Sequence, residues 1–110
     1  MKITDWQKKQ EFQRLLGSTG PKMVLLAAKW CGYCARFLAM AGDYESNSEL
    51  ELIDADDPDE SLWDEYKIRL VPTIIVFKSG KAVFRKDGKP GIGLQLPDLE
   101  EALAATRQES

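Results

Sequence analysis

The sequence predicts an α/β protein in which helices cover a β-sheet. The apolar run Met23–Ala28 has the length of a strand and no polar alternation, as expected for a strand buried on both faces. Thr73–Lys78 and Ala82–Lys86 flank a tight turn and predict an antiparallel hairpin. Other segments of the chain carry helix signals. The predicted element order is therefore α-β-α-β-α-β-β-α.

The N-terminal half is predicted to begin with a helix. Thr4 would be its N-cap and Gln7 would reach back to complete a capping box, and the helix would end near Leu16. A second helix is predicted at about Tyr33–Gly42, after the strand Met23–Ala28. The next strand is expected at Leu50–Asp54.

Two further helices are predicted in the C-terminal half. Asp56–Asp59 would cap a helix of about Glu60–Tyr66, which would carry Leu62, Trp63 and Tyr66 inward. Pro97 is expected at the first position of the last helix, where a missing N–H does no harm. The inward residues of that helix would be Leu99, Ala102 and Leu103.

Length and composition predict one domain, residues 1–110, with a core of about 4–106. The net charge of −3 provides no basic stripe for nucleic acid. The apolar runs are too short to span a membrane. The N-terminal residues show no apolar signal-peptide segment, which favours a cytoplasmic location.

The only two cysteines, Cys31 and Cys34, lie in Trp30-Cys31-Gly32-Tyr33-Cys34 at the start of a predicted helix. This spacing lets two thiols close and open a disulfide, so it predicts a thiol–disulfide oxidoreductase. The chain has no histidine, which excludes a Cys–His nucleophile, and two cysteines supply half of a zinc site. We therefore expect no metal and no cofactor. An inert buried pair, or half of a zinc site completed by a dimer, is the alternative.

Cys31 is the predicted nucleophile because a helix N-terminus favours negative charge. Lys29 and Arg36 could add positive potential. Cys34, one turn into the helix, would resolve the mixed disulfide.

The sequence resembles thioredoxin from about Met23 to Leu103. The matching segments, in order, are Trp30–Cys34, Asp54-Ala55-Asp56, Val71-Pro72-Thr73, Phe77–Gly80 and Gly88. The resemblance implies a thioredoxin-like α/β fold with a central mixed sheet of about four strands flanked by helices. It also implies a monomer that reduces disulfide-containing proteins and is recycled by a flavoprotein reductase.

The same resemblance implies a cis Val71–Pro72 bond that faces the dithiol. The backbone of Val71 would pair with an extended substrate segment, a strand-addition mode. Trp30, Gly32 and Tyr33 would complete the substrate surface, with the two aromatic rings as a flat apolar rim.

Several positions depart from the family pattern. Gly-Tyr replaces Gly-Pro between the cysteines, Leu25 replaces a buried Asp, and Leu52 replaces the Lys that often faces it. We hypothesise that this chain has exchanged proton-relay speed for core stability. The alternative functions are a disulfide oxidase or isomerase, a glutaredoxin-like activity, and a thioredoxin-like interaction module whose dithiol only senses redox state.

Overall fold

The structure is a computed structural model that describes residues 1, 3–6, 20–44, 52–56 and 61–107. Within these residues it contains five strands and three helices. In chain order they are β1 (Ile3–Trp6), β2 (Pro21–Ala27), α1 (Gly32–Asp43), β3 (Leu52–Asp56), α2 (Ser61–Glu65), β4 (Thr73–Lys78), β5 (Lys81–Asp87) and α3 (Leu96–Arg107).

The five strands form one mixed sheet in the order β1-β3-β2-β4-β5. β3 runs parallel to both β1 and β2, whereas β2–β4 and β4–β5 are antiparallel. β4 and β5 are joined by a two-residue turn, Ser79-Gly80, which gives the predicted hairpin. The predicted α/β class and mixed sheet are therefore confirmed, with five strands rather than about four.

The central strands β2 and β4 are buried on both sides, as their apolar sequences predict. One face of the sheet packs against α1 and α3 through Phe37, Leu99 and Leu103. The opposite face forms a smaller cluster around Ile75 and Phe77. Both cysteines belong to the larger cluster, so the dithiol is anchored in the core.

The predicted N-cap at Thr4 is wrong. Thr4 lies in β1, where it is paired with Ile53 at the edge of the sheet. Ile, Thr and Trp in this segment favour strands, and the open edge of β3 satisfies their backbone groups. This tertiary pairing overrides the local capping signal. The remainder of the predicted helix, up to Leu16, lies outside the described residues.

Other boundaries shift by one or two residues. β3 ends at Asp56, which is therefore a strand residue, and the rest of its predicted helix cap lies outside the described residues. Trp63 is half-buried and touches both clusters, as expected for an inward residue. Pro97 is the second residue of α3 rather than the predicted first. No helix in the described ranges is long and apolar enough to cross a membrane.

Candidate functional site

The first cysteine lies where β2 leaves the sheet and α1 begins. Cys31 is the N-cap of α1, with φ −91° and ψ 112°, and its N–H donates to the carbonyl of Ala28 at 3.1 Å. Its Sγ accepts the N–H of Cys34 at 3.2 Å, in the manner of a capping side chain. Both cysteines are thiols, 5% and 1% exposed respectively. The sulfur of Cys31 is thus held at the open N-terminus of a helix.

The loop before β4 faces this sulfur. Sγ of Cys31 donates to the carbonyl of Val71 at 3.6 Å, and the Val71–Pro72 peptide bond is cis. The sequence-based expectation of a cis bond beside the dithiol is therefore met. Residues 40 positions apart meet here because β2 and β4 are neighbours in the sheet.

The Pro72 loop, residues Leu70–Thr73, is fixed by two hydrogen bonds. The hydroxyl of Thr73 donates to the carbonyl of Leu70 at 2.7 Å, and the N–H of Gly88 donates to the carbonyl of Pro72 at 3.0 Å. A Cβ at Gly88 would lie 2.7 Å from that same carbonyl oxygen. Residue 88 must therefore be glycine for the chain after β5 to approach the Pro72 loop this closely.

Arg85 on β5 ties down the chain just ahead of this loop. Its guanidinium donates to Asp87 at 2.6 and 3.1 Å and to the carbonyls of Tyr66 and Lys67. The hydrogen bond with Asp87 raises the pKa of Arg85 above its ordinary value, against a smaller opposing effect of burial. Burial, with a contribution from Glu65, raises the pKa of the Tyr66 phenol. This support for the Pro72 loop was not predicted from the sequence.

Trp30 stands out from the surface beside the dithiol, with 77% of its area exposed. Its ring meets that of Trp63 edge-to-face, with centroids 6.4 Å apart and planes at 67°. Nε1 of Trp63 is buried and has no hydrogen-bond partner among the described residues. Trp30 is exposed, as predicted, and its contact with Trp63 was not predicted.

Tyr33 is held from the other side, although its ring is also exposed. The guanidinium of Arg36 lies 5.2 Å from the centroid of the Tyr33 ring and donates to the carbonyl of Ile92. A Cβ on Gly93, which has φ +76°, would lie 3.0 Å from Cβ of Tyr33. Arg36 was expected only as a nearby positive charge. The glycines at positions 88, 91 and 93 are the sequence signal that a backbone approaches closely here.

The remaining predicted positions differ in exposure. Gly32 faces open space, since an added Cβ would meet nothing within 4 Å, and Lys29 is exposed beside the motif. Leu25 and Leu52 are both fully buried in the cluster that contains the cysteines. Apolar packing therefore occupies the two positions where the family pattern has a charged pair.

Comparison with known proteins agrees with this geometry. The family profile described as Thioredoxin matches residues 4–95. Thioredoxin of Porphyra purpurea is 36% identical over 85 residues, which cover 74% of this chain and 76% of that protein. A putative protein disulfide-isomerase of Schizosaccharomyces pombe is 34% identical over 87 residues, or 73% of this chain and 17% of that protein.

The fold is shared with solved thioredoxin structures. Thioredoxin of Schistosoma mansoni has a TM-score of 0.76 at 20% identity, and the alignment covers 94% of each chain. The profile match and the relatives were found from the amino-acid sequence, without use of the fold. By its sequence, its fold and its paired cysteines, this chain belongs to the thioredoxin family of thiol–disulfide oxidoreductases.

Proposed function

We propose that this protein is a disulfide reductase for protein substrates, with Cys31 as the nucleophile and Cys34 as the resolving residue. The observation that carries the proposal is the position of Cys31 Sγ. It accepts an N–H at the N-terminus of α1 and faces the carbonyl of Val71. An N–H donor stabilises a thiolate, which is the attacking species.

The reaction has two exchange steps. The thiolate of Cys31 attacks one sulfur of the substrate disulfide, forming a mixed disulfide and releasing the other sulfur as a thiolate that takes up a proton. Cys34 then loses its proton and attacks Sγ of Cys31, which forms the Cys31–Cys34 disulfide and releases the second substrate thiolate. The substrate gains two electrons and the dithiol loses two. A flavoprotein reductase is the proposed donor that restores the dithiol.

Substrate binding is proposed to use both sides of the dithiol. The backbone of Val71 would pair with an extended segment of the substrate, next to Pro72. Trp30, Gly32 and Tyr33 are exposed and would contact the residues around the substrate disulfide. The proposed contacts require no second subunit, in keeping with action as a monomer. A reductase of this kind suits the cytosol, where thiols are kept reduced.

The alternative is an oxidase or isomerase, favoured by the match to the putative disulfide-isomerase. The potential of the Cys31–Cys34 couple separates the two. Equilibration in graded thiol–disulfide buffers is expected to give about −270 mV for a reductase. A value of about −120 to −180 mV would instead indicate an oxidase or isomerase.

Turnover of a protein disulfide tests the third possibility, an interaction module that only senses redox state. We expect Cys31→Ser to abolish turnover and Cys34→Ser to accumulate a mixed disulfide that mass spectrometry detects. A protein that forms the intramolecular disulfide but reduces no protein substrate would contradict the proposed function.

Leu25→Asp tests whether a buried carboxylate would speed the resolving step. We expect faster release of the mixed disulfide, accompanied by a loss of stability of about 3–5 kcal/mol from an unpaired buried charge. Leu25→Asn is the matched control, because asparagine is polar but cannot accept a proton. Adding Leu52→Lys to Leu25→Asp would create the ion pair of the family pattern. Equal single-turnover release rates for the Asp and Asn variants would refute the proton-relay part of the hypothesis.

A further inference from the structure

An apolar cavity of about 420 Å³ lies between α1 and the start of α3, away from the two thiols. Phe37 and Leu94 are its buried floor, and Met40 is half-buried beside them. Leu96 and Pro97 form an exposed rim. The volume is within the range of small-ligand pockets. The thiol-exchange steps do not use it.

Arg36 connects this cavity to the dithiol surface. It lines the cavity, its guanidinium stacks on the ring of Tyr33, and it donates to the carbonyl of Ile92. Tyr33, Ile92 and Leu96 are three of the six large apolar residues that the described part of the chain exposes. Arg36 therefore lies between the exposed Tyr33 beside the dithiol and the cavity, and exposed apolar residues around a groove are typical of interaction sites.

We propose that this cavity is a subsite for one apolar side chain of the substrate protein. The inference rests on the proposed reduction of protein disulfides. An apolar occupant fits because the floor is built from Phe, Leu and Met, and methionine adapts its shape to different side chains. The guanidinium of Arg36, at the rim, has further N–H groups that can donate to a backbone carbonyl of the same substrate segment.

The position of the cavity defines where the substrate must carry that side chain. Phe37 and Met40 lie six and nine residues beyond Cys31, or about 9–14 Å along the axis of α1. An extended peptide advances about 3.3 Å per residue. For a substrate segment that runs along α1, the apolar side chain is therefore three or four residues from the substrate cysteine.

The test uses synthetic peptides with one cysteine, held as a mixed disulfide with glutathione. Each peptide has serine at all neighbouring positions, except for a single leucine placed one to six residues from the cysteine on either side. With the unmodified protein, kcat/KM is expected to peak when leucine is three or four residues away on one side. The gain over the all-serine peptide is expected to be on the order of tenfold, mostly through KM.

Leu96→Glu is the test variant and Val83→Glu is its matched control, since Leu96 and Val83 are 40% and 44% exposed. Leu96→Glu is expected to remove most of the advantage of the leucine peptide, whereas Val83→Glu, on β5, should leave it intact. A flat leucine profile, or an advantage that survives Leu96→Glu, would overturn the subsite.

Failure of the proposed function would look different, because every peptide would then remain unreduced. In that case intrinsic tryptophan fluorescence would measure peptide binding to the Cys31→Ser variant. Tighter binding of the leucine peptide, lost in Leu96→Glu, would support the subsite without turnover. Equal binding of the leucine and serine peptides would refute it.

Discussion

The two sides of the dithiol are built by different kinds of contact. On one side, the Pro72 loop is held by hydrogen bonds to its own main-chain carbonyls, from buried Thr73 and from the N–H of Gly88. On the other side, Tyr33 is held by the exposed side chain of Arg36 and by contact with Gly93. The Pro72 loop is therefore fixed by hydrogen bonds from buried donors to main-chain carbonyls, whereas Tyr33 is held by contacts at the exposed surface.

This difference separates the parts of the site that tolerate change from those that do not. Thr73 and Gly88 are buried residues, so their donors have few alternative partners, and an unpaired buried polar group is costly. An exposed cation–π contact contributes only about 0.5–1 kcal/mol. We therefore expect the Pro72 side to preserve the chemistry, while the Tyr33 side, with the cavity beyond it, adjusts substrate choice.

Gly88→Ala should give the largest effect, because it breaks the Pro72 side. The new Cβ would lie 2.7 Å from the carbonyl oxygen of Pro72, which must shift. We expect a loss of about 3 kcal/mol in the free energy of unfolding, the upper range for overpacking, together with lower kcat/KM for protein disulfides. Urea unfolding measures the stability, and Gly32→Ala is the control because its Cβ meets no atom within 4 Å. Equal stability of the two variants would show that the Pro72 loop yields easily.

Gly93→Ala should have a smaller effect, of about 1–2 kcal/mol. The residue has φ +76°, which disfavours a Cβ, and the Cβ would press on Tyr33 at 3.0 Å. A double-mutant cycle with Tyr33→Ser separates the two causes, because removal of the ring relieves part of the crowding but not the backbone strain. A loss as large as that of Gly88→Ala would mean that the two sides are equally rigid.

Arg36→Met is expected to give the smallest loss of stability, about 0.5–1 kcal/mol, because the residue is exposed. Its main effect should be a higher KM for protein disulfides with little change in the Cys31–Cys34 potential. Arg36→Lys is the comparison, since lysine keeps the positive charge but lacks the planar guanidinium group with its several N–H donors. A shift in potential as large as the change in KM would show that this side also controls the chemistry.

Much of the site could be predicted because its signals are local. The dithiol, the strand before it and the hairpin that follows Pro72 each lie within a few consecutive residues, so pattern and turn chemistry were sufficient. The N-terminal prediction failed for the opposite reason. Thr4 and its neighbours satisfy a local helix signal, but the unpaired edge of β3, about 50 residues away, offers them a strand partner.

The sequence alone determined the α/β class and the reactive cysteine pair, because both depend on short-range patterns of apolar residues, turn residues and cysteines. Only the tertiary structure decided how the two sides of the dithiol are built. Arg36 and Ile92 are 56 residues apart, and Gly88 and Pro72 meet at the open end of the β4–β5 hairpin, with two strands and a turn between them. Such contacts depend on how the sheet and helices pack, which no local pattern specifies. The cavity between α1 and the start of α3 also arises from this packing.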